Sequence, residues 1–234
     1  LKQQLTIDFA LQLEATFEHF FAADNQVLID NLKQFVETES DIPSKQLFYI
    51  HGGKGAGKSH VLQALCHFAD QKDKLAQYLP ANQLLDMSPE FTLGLENCEL
   101  LLIDDVQLFQ HSPIWQTTIF DLINRCIEAG NKIIFTANKP ADQIDFTLPD
   151  LVSRLNWGQK WPLYALDDEQ RKAMLTLRSQ ARGIPMSDEL ANFIVLRCQQ
   201  DNASILSCLD KLDKESLLEK RKITIPFVKS VMSW

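Results

Sequence analysis

Residues 52 to 59 read Gly52-Gly53-Lys54-Gly55-Ala56-Gly57-Lys58-Ser59, which satisfies G-x-x-x-x-G-K-[ST] in full. Glycines at these spacings let consecutive backbone N–H groups turn inward around an anion. A helix starting at the end of the run adds unpaired amides and the positive end of its dipole. Lys58 is expected to reach the β- and γ-phosphates of a nucleotide, and the Ser59 hydroxyl to ligate Mg²⁺. Gly52, Gly53, Lys54, Gly55, Ala56, Gly57 and the following His60 complete the candidate cradle. A second signal lies 45 residues beyond Ser59, where Leu100-Leu101-Leu102-Ile103 runs into Asp104-Asp105. An apolar strand beside the one feeding the loop would end in Asp104, placed to hold the magnesium hydration shell. Asp105 would then stand where a carboxylate orients attacking water. The two motifs together predict binding of a nucleoside di- or triphosphate.

Both motifs sit at the ends of strand-like runs. Gln46–His51 is apolar and β-branched or aromatic in character, and a helical pattern follows through Val61, Leu62, Leu65 and Phe68. Glu99–Ile103 is followed by a helical stretch over Ile114–Ala129, and Lys132–Thr136 by the turn Ala137-Asn138-Lys139-Pro140. Such continuous apolar runs suit parallel strands buried on both faces. Asn138 ends its strand where a side chain could sense the γ-phosphate from the side opposite the loop. Upstream, apolar residues from Phe17 to Phe35 keep helix-like spacing until Asp41-Ile42-Pro43-Ser44 breaks them.

From about Asp167 the strands stop. Asp167-Asp168-Glu169 is an acidic helix start, Gly183 a stop, Ser187 and Asn202 are caps, and Pro226 opens a last helix. The expected architecture is an α/β base with a parallel sheet over residues 16–165 and a small all-helical domain over 166–234. Residues 1–15 form an extended tail in which Leu5, Ile7 and Phe9 alternate with polar positions.

Composition narrows the partners. With 45% hydrophobic and 23% charged residues the chain is globular, and 23 basic against 31 acidic residues give a net charge of −8. Duplex DNA, which rewards clustered Lys and Arg, is a poor expectation. No apolar run approaches the length of a bilayer span and no secretory leader is apparent, so a cytoplasmic protein away from membranes is expected. The five cysteines contain no C-x-x-C pair and read as buried reduced thiols, and no zinc-like spacing of histidines occurs.

The segments His51–His60, Leu102-Ile103-Asp104-Asp105-Val106-Gln107 and Ser153-Arg154-Leu155-Asn156-Trp157-Gly158 resemble the AAA+ core of the bacterial replication initiator DnaA. So does Thr16-Phe17-Glu18-His19-Phe20, which is similar to the lead into that core. The likeness spans roughly residues 16–220 and implies an AAA+ P-loop NTPase with an αβα base and a helical lid. Since the sequence ends after the helical domain, no counterpart of the initiator's helix-turn-helix domain is expected, and the stretch between the two nucleotide motifs looks shorter than in initiators.

Within that superfamily the chain resembles the Hda-type regulators that inactivate the initiator. Gln4-Leu5-Thr6-Ile7-Asp8-Phe9 is similar to the Q-L-x-[LI]-x-[FL] peptide that docks on the DNA polymerase sliding clamp (its β subunit). Leu5, Ile7 and Phe9 would enter an apolar groove while Gln4 fills a polar socket. The resemblance implies ADP (or ATP) with Mg²⁺ as cofactors, DnaA and the clamp as partners, and Arg154 as an arginine finger acting on the initiator's ATP. It leaves self-association open.

Two departures qualify it. No arginine stands near Ala203, where many family members place a lid arginine. Asp105 replaces the commoner Glu, although initiators share the Asp. Both suggest slow turnover or retention of a diphosphate. A helicase loader or another autonomous replication ATPase would share the nucleotide motifs without needing the tail peptide. A small-metabolite kinase would need acceptor-binding residues and lid arginines that the last helices do not offer.

Overall fold

The computed structural model describes residues 11–39, 42–198 and 202–234. The candidate clamp peptide, Gln4, Leu5, Ile7 and Phe9, lies outside them. The chain forms two compact units, one running to Gly53 and then over Gly57–Tyr164, the other of Lys54–Ala56 with Ala165–Trp234. In chain order the first unit contains α1 (Gln26–Glu37), β1 (Leu47–His51), α2 (Lys58–Asp70), β2 (Ala76–Pro80) and α3 (Ala81–Leu84). It continues with β3 (Leu100–Asp104), α4 (Pro113–Glu128), β4 (Lys132–Ala137), α5 (Pro149–Trp157) and β5 (Gln159–Pro162).

The five strands are parallel and ordered β2-β3-β4-β1-β5. β3 and β4 are buried at every position and β1 at all but its last, as continuous apolar runs require when helices cover both faces of a sheet. One expectation fails here. β3 does not lie beside β1; β4 is inserted between them, with Leu47 opposite Ile133 and Ile103 opposite Phe135. The Asp104 motif therefore faces the glycine loop across the end of β4.

β2 and β5 escape a reading based on apolar runs. They are the edges of the sheet, where one side pairs with no strand among the described residues, and their sequences Ala-Gln-Tyr-Leu-Pro and Gln-Lys-Trp-Pro mix polar residues with proline. The helical spacing expected from Phe17 onward also resolves differently. Short 3₁₀ turns at Phe17–His19 and Ala23–Asn25 precede α1, which buries Leu28, Ile29, Leu32, Phe35 and Val36 along one stripe. Phe35 meets Phe48 of β1 edge to face, ring centroids 5.3 Å apart.

The carboxyl end of α1 is tied to the sheet by Lys132, the first residue of β4. Its ammonium donates to the carbonyls of Phe35, Val36 and Thr38, oxygens that helix geometry leaves without intrahelical partners. Burial, with Lys74 as a lesser cause, pulls the Lys132 pKa down to about 8. Lys132→Met keeps the aliphatic stem but strands three carbonyls. It is expected to lower unfolding free energy by about 1–3 kcal/mol, measured by urea denaturation.

The second unit is helical: α6 (Asp168–Ala181), α7 (Asp188–Arg197), α8 (Asn202–Glu219) and α9 (Ile225–Met232). Asp167 and Gln170 form a reciprocal capping box, and Ser187 and Thr224 accept from Leu190 and Phe227 at the starts of α7 and α9. Gly183 follows α6 with φ of 69°, a conformation open to glycine. Ala203 lies in the first turn of α8. Among the described residues no helix is long and apolar enough to cross a membrane, and no cluster of three metal-ligating side chains occurs.

Candidate functional site

The glycine loop opens where β1 ends. Gly52 N–H still donates to Ala137 O of β4 at 3.0 Å, so the loop leaves the sheet from a fixed point. Gly57 caps α2 with φ of 98°, and a Cβ there would also stand 3.0 Å from the Phe20 ring; both features call for glycine. Lys58, the first residue of α2, is 8% exposed. Its Nζ donates to the carbonyls of Gly52 (3.1 Å) and Gly53 (3.3 Å), and an oxygen of the half-exposed Asp105 lies 3.8 Å away. Two neutral carbonyls and one partly solvated carboxylate leave a buried ammonium short of negative charge. The loop fits an anion such as a phosphate.

Asp104 ends β3 with only 4% exposure. Tyr78 of β2 donates its hydroxyl to Asp104 Oδ2 at 2.8 Å, and Thr136 of β4 donates to Oδ1. Burial, then the neighbouring Asp104 charge, raises the Tyr78 pKa well above the usual phenol range, so the hydroxyl stays protonated and donating. Thr136 Oγ1 also accepts from Asp105 N–H at 3.0 Å, stabilising Asp105 in a left-handed conformation with φ of 55°. Ser59 follows Lys58 in the first turn of α2. A hydroxyl and a buried, well-oriented carboxylate at one end of the sheet are the hard oxygen donors that Mg²⁺ prefers. The donor set therefore fits the metal of a bound nucleotide.

Other candidates fall nearby with different roles. His60 points its Nε2 at the Thr16 carbonyl (2.9 Å), with its ring tilted against Phe20, so it braces the segment before α1. Asn138 is exposed just past β4, and its backbone N–H is held by Gln107 Oε1 at 3.2 Å. Between Asn138 and Thr136, it is Thr136 that touches the Asp104 carboxylate.

Arg154 lies on α5, its guanidinium 4.8 Å from the centre of the Trp157 ring. Among the described residues it makes no salt bridge. It opens on a shallow cavity of about 300 Å³ lined with Phe120, Asp150, Ser153 and Trp157. Gly158 follows α5, and any Cβ there would fall 2.2 Å from the Leu47 carbonyl of β1, so the position requires glycine.

Tyr78 is the site residue that sequence reasoning missed. Its strand carries no apolar run, and its tie to Asp104 depends on β2 pairing with β3 in register, with Tyr78 opposite Leu102 and Pro80 opposite Asp104. Alternation then puts Tyr78 and Asp104 on one face.

Residues 11–161 match the family model of the bacterial DnaA ATPase domain, and residues 168–232 that of the Hda lid domain. Domain III of the Thermotoga maritima replication initiation protein DnaA superposes with a TM-score of 0.80 at 22% identity, covering 96% of this chain and 98% of that one. AMPPCP-bound DnaA from Aquifex aeolicus gives 0.74 at 22% identity, covering 88% and 67%. The Thermotoga maritima RuvB Holliday junction branch migration motor gives 0.65 at 13%, covering 91% and 67%. At these identities the structural likeness concerns the fold, a parallel AAA+ sheet with a helical lid.

Proposed function

The chain belongs to the family of the bacterial DnaA ATPase domain, and on that premise we propose that it is a negative regulator of replication initiation. It holds ADP in the loop Gly52–Ser59, docks on the DNA polymerase sliding clamp through Gln4, Leu5, Ile7 and Phe9, and presents Arg154 to the ATP of a DnaA molecule. The Hda-type lid over residues 168–232 supports this reading over that of an initiator. The reading places a tail at 1–15, the nucleotide-binding base at 16–165 and the lid at 166–234, in a cytoplasmic protein.

The observation that carries it is the state of Arg154. A guanidinium stacked on Trp157, on a helix surface and without a carboxylate partner among the described residues, is a charge held ready for a group outside its own chain. Within the chain's own site Lys58 would neutralise phosphate charge, Ser59 and Asp104 would hold Mg²⁺, and Asp105 would orient attacking water. When bound, Mg²⁺ supplies charge neutralisation between neighbouring phosphates. The short Asp105 side chain and the lack of arginine at Ala203 favour holding a diphosphate over fast turnover.

The test combines DnaA loaded with labelled ATP, clamp-loaded DNA and this protein carrying ADP. The mixture should hydrolyse ATP faster than DnaA alone. Replacing Gln4 and Leu5 together by Ala should abolish capture by immobilised clamp and the clamp-dependent acceleration, with the melting temperature unchanged. Clamp capture that survives the double replacement removes the tail from the reading. Vigorous ATP turnover by the protein alone, with no clamp capture, would identify a helicase-loader type of ATPase instead.

A further inference from the structure

The phenol of Tyr78 lies against the buried carboxylate of the metal half of the site. Its hydroxyl donates to Asp104 Oδ2 at 2.8 Å inside the fold. Thr136 of β4 donates to Oδ1, so both oxygens of Asp104 are held from the strands on either side of β3. Asp104 is only 4% exposed, which leaves it few other partners.

We infer that Tyr78 is a positioning residue for the magnesium of the bound nucleotide, acting through Asp104. The inference rests on the reading that Asp104 serves that metal. The physical reason is orientation. A carboxylate that accepts O–H donors from Tyr78 on one oxygen and Thr136 on the other is held against rotation. Its remaining lone pairs keep one direction, which a metal-bound water can meet without reorganisation. Tyr78 touches neither nucleotide nor metal and contributes orientation alone.

The test is ADP binding by calorimetry in excess Mg²⁺ and again in EDTA, for wild type, Tyr78→Phe and Asp104→Asn. Wild type should bind ADP more tightly with Mg²⁺. Tyr78→Phe keeps the ring and its packing, so binding in EDTA should match wild type, while the gain from Mg²⁺ shrinks by about tenfold, the worth of one hydrogen bond to a charged group. Asp104→Asn should lose the gain as well. A full Mg²⁺ gain in Tyr78→Phe, with the gain lost in Asp104→Asn, overturns the role of Tyr78 and leaves the metal reading intact. Equal losses with and without Mg²⁺ in Tyr78→Phe make the residue merely structural and also overturn it. Absence of any Mg²⁺ gain in wild type overturns the metal reading, and the inference with it.

Discussion

Arg154→Ala is expected to remove the stimulation of ATP hydrolysis by DnaA while ADP binding and clamp capture stay at wild-type levels. A cation delivered in trans neutralises charge developing on the transferred phosphoryl group, which in comparable switches is worth about 10³–10⁵ in rate. The side chain is suited to this role because its planar fork stays charged and can bridge two phosphate oxygens. Arg154→Lys keeps the charge without the fork and the face that stacks on Trp157, so it should also lose most of the stimulation. The two binding controls matter because α5 is anchored by Leu151 and Leu155, which are fully buried, and a collapsed helix would mimic a lost finger. Full stimulation by Arg154→Ala would eliminate the trans-acting role.

Lys58→Ala should weaken ADP binding by about 10–100-fold, the range of hydrogen bonds between charged groups. Calorimetry with Mg²⁺ present reads this directly. Without nucleotide the same substitution should leave thermal stability unchanged or higher. The ammonium sits buried against two carbonyls and a carboxylate 3.8 Å away, so its removal relieves an incompletely paired charge. Unchanged ADP affinity would remove the assignment of the loop. A fall in stability without ligand would show that Lys58 braces the loop rather than waiting for phosphate.

What the sequence determined by itself is the chemistry that lies within one short stretch of chain. The Gly52–Ser59 pattern specifies its own geometry, because the left-handed Gly57 and the helix start at Lys58 follow from local backbone preferences. The central strands are equally legible, since β1, β3 and β4 carry continuous apolar runs at Leu47–Ile50, Leu100–Ile103 and Ile133–Phe135 that bury both faces. Asp167, Ser187 and Thr224 cap helices by contacts three residues long; of these the sequence marks Ser187 as a cap and Asp167 as part of an acidic helix start. All of these depend on neighbours a few positions away.

The tertiary structure alone decided what long-range pairing brings together. Inserting β4 between β3 and β1 put Thr136, rather than Asn138, on the Asp104 carboxylate, and no local pattern encodes strand order. The edge strand β2 brought in Tyr78 from 26 residues upstream of Asp104, through a register that only the assembled sheet enforces. An edge strand buries too little to need an apolar run, so its sequence stays ambiguous while its position in the site is exact to a hydrogen bond. The approach of Gly158 to the Leu47 carbonyl has the same origin. Sequence carries the requirement for glycine there, and only packing of α5 against β1 supplies the reason.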